Sequence, residues 1–357
     1  MKTTSLPDGL NEHTPGWHFK KLVEFTDLKH QVGEPSPHLA IVGWLSRKES
    51  VEERVWRLGC YGATYCLPSA QVIWSEWPLN STLKNSNGLS TWLSKNWKGI
   101  VTRTERRCVR TQPKMFRCLK GWADWIERDY GKLPSLKTAS PNAYYDAVWE
   151  SVTSVPFMGR YISIRLIEGL KRYANVPAAL YDVRSIGGWS PKKAMVYLYP
   201  EHANQLLTDS KEGNDLADEL TFDLLDQIKE RLPYVDAYIL AAMLCEYREA
   251  YERRHQYPAW TIDQEPLLYD KVTAYFGTDA CTSLWDARKA LFPKYALGEL
   301  GKRWWGTRWD CASTLRNFGY NWSDLRYDYT ATQENKSFAS PIVREEYART
   351  KHASQRN

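Results

Sequence analysis

The chain has 357 residues, 43% of them hydrophobic and 25% charged, with a formal net charge of +6 and an isoelectric point near 8.8. That length suffices for two ordinary domains or one large helical one with a substantial core, and the composition excludes a disordered chain. The charge is too mild to demand a polyanionic partner, so where the cations cluster matters more than their sum.

The opening MKTTSLPDGLNEH has no apolar core of signal-peptide length, and no run of about eighteen apolar residues occurs, so a cytosolic protein away from membranes is expected. Seven cysteines, odd in number and without a CxxC pair, exclude a disulfide framework or zinc ribbon; free thiols and no metal centre are expected. The 17 tryptophans and 22 tyrosines are read mainly as core, with a minority available to stack on bases.

Residues 1–35 are polar and punctuated by Pro and Gly, an expected irregular arm with one short element around WHFKKLVEF. A helical region is expected over 36–131. From Pro37 to Trp77 apolar residues recur at three- and four-residue spacing, broken at Ser50 and at Pro68-Ser69, which predicts about three helices. Asn80 to Gly88 reads as a loop, NSNGLSTWLSKNWKG as a short capped helix, and KMFRCLKGWADWIERDY as a helix. Between the last two lies GIVTRTERRCVRTQPKMFR, residues 99–117, with five arginines and one lysine against a single glutamate.

A second helical region is expected over 140–329. Ser140-Pro141 is a helix start, a capping residue followed by proline in the first turn. In GRYISIRLIEGLKRYA a wheel places Ile162, Leu166, Ile167, Leu170 and Tyr173 on one arc and Arg160, Arg165, Lys171 and Arg172 on the other. RSIGGWSPKKAMVYLY reads as a glycine hairpin running into a helix capped by Ser190, and two further helices follow in TFDLLDQIKERL and VDAYILAAMLCEYREAYERR. From Asp263 to Tyr329 the pattern stays helical, and residues 330–357 form a polar tail. No period-two strand segment and no repeat stands out, so the fold is mainly α.

Four stretches carry candidate chemistry. In the arginine run, Arg103, Arg106, Arg107 and Arg110 are spaced by three, one and three, so a helical or turn-like backbone fans them along one side, where guanidinium forks suit phosphate oxygens. A solvated basic face with internal pairs, for instance to Glu105, is the alternative. In SIGGWSPKKA, Gly187 and Gly188 allow a tight turn before a helix N-terminus that favours anions, with Trp189 and Lys192 adjacent. In the helix from Val235 to Arg254, Leu240, Leu244, Tyr247 and Tyr251 define the buried stripe; Asp236 falls in the apolar arc near its start and Glu246 on its edge, positions suited to general acid–base work, or else to first-turn dipole complementation for Asp236 and a core-edge ion pair with an arginine for Glu246. Cys245 reads as a buried or half-buried thiol. Asp263 lies in a loop with Glu265, where acids serve function or cap helices. Absent are GxxxxGK[ST], a dinucleotide fingerprint and HExxH, which disfavours kinases, nicotinamide enzymes and zinc hydrolases.

Taken in order, WRLGCYGATYCLPSA, GIVTRTERRCVR, PFMGRYISIRLIEGL, the Gly-Gly hairpin, VDAYILAAMLCEYREAY and YPAWTIDQE resemble the successive blocks of one phage helical family, the alpha-glutamyl/putrescinyl thymine pyrophosphorylases. The likeness runs from about Arg54 to Glu265 and is nearest to the family's amino acid:DNA transferase branch. The resemblance implies a helix-hairpin-helix DNA glycosylase-like architecture and a role in thymidine hypermodification. It further implies double-stranded DNA bearing 5-hydroxymethyluracil phosphorylated or pyrophosphorylated by another modification enzyme, and a free amino acid such as glycine or serine, or in some relatives a polyamine, whose amine displaces the phosphate or diphosphate without a cofactor. The Gly187-Gly188 hairpin is less glycine-rich than the glycosylase motif, and no single aspartate fills the glycosylases' catalytic position. On this reading Arg106, Arg107 and Arg110 bind the leaving phosphate, and Arg160 and Arg165 hold DNA backbone or the amino-acid carboxylate. Glu246 takes a proton from the attacking ammonium, and Asp236 or Asp263 positions the amine. The competing readings are a glycosylase-like hydrolase, a non-catalytic DNA-binding protein and an all-helical scaffold.

Overall fold

The computed structural model describes residues 13–31, 36–181, 189–251, 268–269 and 271–291. Helices α1 (Pro15–Gln31), α2 (Pro37–Leu45), α3 (Val51–Thr64), α4 (Leu67–Glu76), α5 (Leu79–Lys84), α6 (Ser86–Asn96) and α7 (Gln112–Arg128) occupy the first part. They are followed by α8 (Pro141–Thr153), α9 (Arg160–Tyr173), α10 (Trp189–Leu198), α11 (Ala203–Leu206), α12 (Lys211–Lys229), α13 (Ala237–Tyr251) and α14 (Thr282–Leu291). There is no strand among the described residues, so the mainly α class holds.

Local signals explain most starts. Ser50 Oγ accepts from Glu53 N at 3.1 Å, and Glu52 and Glu53 lie in the positive first turn of α3. Ser140 Oγ accepts from Ala143 N at 3.1 Å, with Pro141 opening α8. Two expectations change. Residues 15–31 form a full 17-residue helix, because His18, Leu22, Phe25 and Lys29 make a stripe at four-three-four spacing that is wholly buried. The expected loop after Asn80 is the helix α5, anchored by the buried Leu79 and Thr82.

Helix α3 is the axis of the molecule, packed by α4, α7 and α9. Two glycines let it be approached that closely. A Cβ on Gly59 would stand 1.9 Å from the Trp122 indole of α7, and one on Gly62 2.9 Å from Leu166 of α9. The same indole donates to Val55 O at 2.9 Å, so a large apolar surface is buried without orphaning its N–H. Trp56 donates likewise to Trp77 O at 2.9 Å and Trp125 to Ser151 Oγ at 2.8 Å. These three tryptophans are core, as composition suggested. On the other side α10 lies against α13 and α1, with α12 behind α10, and one core cluster runs through all of these elements.

Candidate functional site

The first half of α9 is where charge, exposed aromatic surface and unusual backbone meet. Among the described non-glycine residues, four have left-handed backbone: Ser36 (φ 61°), Tyr65 (φ 50°), Phe157 (φ 65°) and Asn175 (φ 56°). Asn175 follows the end of α9, where such a residue is an ordinary terminator. The other three flank α9 itself. Ser36 Oγ donates to Glu168 Oε1 at 2.9 Å, Tyr65 OH shares a 2.5 Å hydrogen bond with Tyr161 OH, and Phe157 lies in the turn that leads into Arg160. Bulky residues in this region cost on the order of 1 kcal/mol or more each and concentrate at functional sites.

Charges alternate across the cluster. Glu168, 1% exposed, is gripped by Arg165 at 2.8 Å and by Arg172 at 3.0 Å, one three residues before it and one four after. Farther along, Asp236 lies 3.6 Å from Lys171 and 3.9 Å from Arg172. At the other end Glu246 pairs with the fully buried Lys29 of α1. Burial works against the Arg165 cation, yet Glu168, Tyr161, Tyr65 and Glu246 together outweigh it and raise its basicity. Arg165 therefore stays charged and lies within the field of Glu246.

Aromatic rings rim this array. His38 Nδ1 bonds Tyr61 OH at 2.7 Å, Tyr61 packs against Tyr65, and Tyr65 meets Tyr161 edge-on. The Arg103 guanidinium lies 5.6 Å from the Tyr65 ring and Arg165 5.8 Å from the Tyr161 ring. Burial, with Tyr61 adding to it, pushes the Tyr65 phenol well above its ordinary range against the opposing Arg165 and Arg103, so it keeps its proton at neutral pH. Tyr161 is 40% exposed as a residue, with the Arg165 guanidinium over its ring.

The sequence-selected residues separate into groups. Among the described residues Arg165 lies in the field of Glu246 without an ion pair to it, and Arg103 lies over the Tyr65 ring; Arg160 opens α9 and is exposed, as is Arg110. Arg106 is the clear correction. It is 1% exposed, with Nε donating to Ala63 O at 3.1 Å and Nη2 to Phe157 O at 3.0 Å, so its fork ties two backbone segments together and faces no phosphate. Arg106 departs from the fan expected of the arginine run because residues 104–109 form a tight helical turn interrupted at Arg106 (φ −98°, ψ 37°), which sends that side chain inward. Asp236 is an N-cap: its Oδ1 accepts from Ile239 N at 2.9 Å ahead of α13. Lys192 donates to Thr208 O at 3.1 Å and to Asn214 Oδ1, and burial lowers its pKa. The Arg107 side chain, Gly187, Gly188, the Trp189 side chain and Asp263 lie outside the described residues.

Sequence reasoning missed Lys29, Ser36, Tyr65, Tyr161 and Glu168. For Glu168 the signal was available, since it stands at i+3 and i−4 from two arginines of one helix face. No group of His, Cys, Asp and Glu among the described residues could hold a metal, and the six described cysteines are thiols outside any disulfide. No helix among the described residues is long and apolar enough to cross a membrane. A cavity of about 550 Å³ lined by Glu49, Glu53, Arg57 and Trp74 opens near the opposite end of α3, but its arginine is paired with Glu49 at 2.8 Å.

No curated protein and no solved structure matches this chain. The sequence model described as amino acid:DNA transferase matches residues 39–257, which contain the whole α9–α13 cluster apart from Lys29, Ser36 and His38. That match covers more than half of the chain, so the protein belongs to the amino acid:DNA transferase family and is a transferase.

Proposed function

We propose that the α9–α13 cluster joins the amine of a free amino acid to the 5-methylene of phosphorylated 5-hydroxymethyluracil in double-stranded DNA, displacing the phosphate. The observation that carries this reading is the Glu246 carboxylate, held by buried Lys29 yet 23% exposed, together with the Arg165 guanidinium 5.8 Å from the ring of Tyr161, which is 40% exposed. An α-amino acid is a zwitterion, and this pair complements it: Arg165 for the carboxylate, Glu246 for the ammonium. Glu246 takes the proton the ammonium must lose before its lone pair can attack. The nitrogen–carbon bond then forms as the carbon–oxygen bond breaks, its electron pair leaving with the phosphate.

A base reacting at its 5-methylene has to leave the stack, and Tyr161 supplies a face on which to hold it. Arg160 and Arg110, both exposed, suit the DNA strand; Arg107 is retained from the sequence argument as the group facing the departing phosphate. The Gly187-Gly188 turn and Trp189 are kept on the same footing as strand contacts, and Asp263 as a group that orients the amine. Glycine and serine are the first amines to try, and a bacteriophage modification route, acting in the host cytoplasm after a phosphorylating enzyme, is the setting the reading implies.

The test is to incubate the protein with phosphorylated hydroxymethyluracil DNA and single amino acids, digest the DNA and weigh the nucleosides. A new nucleoside heavier by the amino acid and lacking phosphate supports the reading. Unchanged nucleosides with every amine, with DNA retained in a salt-dependent way, would reduce the protein to a binding module; abasic sites with free base would make it a glycosylase.

A further inference from the structure

Lys29 is an odd residue to find at the end of a buried stripe. Its side chain is 0% exposed, its Nζ lies 5.5 Å from the Phe25 ring, and it donates to Glu246 Oε2. Withdrawing an ammonium from water costs several kcal/mol, and a buried ion pair seldom returns more than a well-packed apolar pair at the same place. Stability alone gives little reason for this pair.

Its asymmetry supplies one. Glu168, the comparable buried carboxylate, is 1% exposed and has both oxygens taken, by Arg165, Arg172 and Ser36, so it is closed to any ligand. Glu246 keeps 23% of its side chain exposed, and its Oε1 makes no hydrogen bond among the described residues. The cation is sealed behind the carboxylate, and the carboxylate is open in front. Lys29 also comes from α1, outside the family match at residues 39–257. That helix is docked on α13 a second time, where His18 Nδ1 meets Tyr247 OH at 2.8 Å, while the His18 ring stacks on Tyr197 of α10.

We infer that Lys29 is a positioning residue for the transfer reaction: it pins Oε2 of Glu246 so that Oε1 is presented to the incoming amine, which makes α1 part of the catalytic apparatus. The inference rests on the assignment of Glu246 as the group that receives the ammonium proton.

The experiment measures kcat and KM for the amino acid, together with unfolding midpoints, for full-length wild type, Lys29→Met, Lys29→Arg, Glu246→Gln and the double variant Lys29→Met/Glu246→Gln. Expected is a kcat loss of about 10- to 100-fold for Lys29→Met, as for other sub-ångström misplacements of a reacting group. Lys29→Arg, which keeps the charge but shifts the donor, should fall between it and wild type. The double variant should turn over no more slowly than Glu246→Gln, because on this inference Lys29 influences the reaction through that carboxylate. Wild-type kcat in folded Lys29→Met, or losses that multiply in the double variant, overturn the inference while leaving Glu246 in place. Should Lys29→Met fail to fold, Lys29→Arg decides: lowered kcat at an unchanged midpoint supports positioning, and wild-type kcat overturns it. Retained turnover in Glu246→Gln removes the assignment beneath the inference and is a separate, recognisable result.

Discussion

Replacing Arg106 with methionine should destabilise the protein without touching its hold on DNA. The side chain is 1% exposed and donates to Ala63 O at 3.1 Å and Phe157 O at 3.0 Å, with Cys118 Sγ 3.7 Å away. Methionine fills much of the same volume but leaves both carbonyls without that donor. Hydrogen bonds from charged donors contribute about 1.5–3 kcal/mol each, and a buried acceptor stripped of its partner keeps its desolvation penalty. Two such losses sum to about 3–6 kcal/mol, a large part of the about 5–15 kcal/mol by which folded proteins persist. Urea unfolding followed by tryptophan fluorescence reads the loss as a lowered midpoint, and DNA retention across a salt series reads the phosphate count. The slope of log affinity against log salt should stay at its wild-type value below the unfolding transition. A variant with wild-type stability whose salt slope shrinks by about 0.9, the share of one phosphate, would refute the argument and return Arg106 to the DNA face.

Two further outcomes follow from buried groups. Burial, with His13 nearby adding to it, lowers the His18 pKa from 6.5 to about 4, so the folded protein resists a proton that the unfolded chain accepts. His18 thus leaves stability untouched above pH 6.5 and reduces it as pH falls toward 4, by about 2–3 kcal/mol at most; His18→Gln should flatten that part of the stability–pH curve, and an unchanged slope would assign the acid sensitivity elsewhere. Asp236→Ala removes the α13 cap and should cost about 1 kcal/mol in denaturant unfolding while the folded enzyme turns over within about twofold of wild type; a loss nearer 100-fold would move Asp236 from cap to catalysis.

The parts of this fold that the sequence made legible are those decided locally. Ser50 with Glu53, and Ser140 with Pro141, fix helix starts through contacts three residues away, and the α13 stripe of Leu240, Leu244, Tyr247 and Tyr251 is buried throughout. Arg106 could not be told from its neighbours because its acceptors lie 43 and 51 residues away in the chain, and only tertiary packing brings them to it. Lys29 was hidden by composition: a polar, Pro- and Gly-bounded arm reads as irregular, yet positions 18, 22, 25 and 29 share one face, with two titratable residues where aliphatic ones are usual. The aromatic rim was hidden for a different reason, since a tyrosine's exposure is set by what packs over it, and Tyr61, Tyr65 and Tyr161 look alike in sequence.

Ser36, Tyr65 and Phe157 give this cluster a thermodynamic character. Each holds a backbone shape that glycine or asparagine would adopt more easily, and each is held there by partners: Glu168, Tyr161 and the Arg106 fork. The surrounding scaffold must therefore be more stable than it would need to be for folding alone, because part of its free energy is spent keeping three unfavourable dihedrals in place. Selection for heat tolerance alone would relax them first, and the region it relaxed would be the first half of α9.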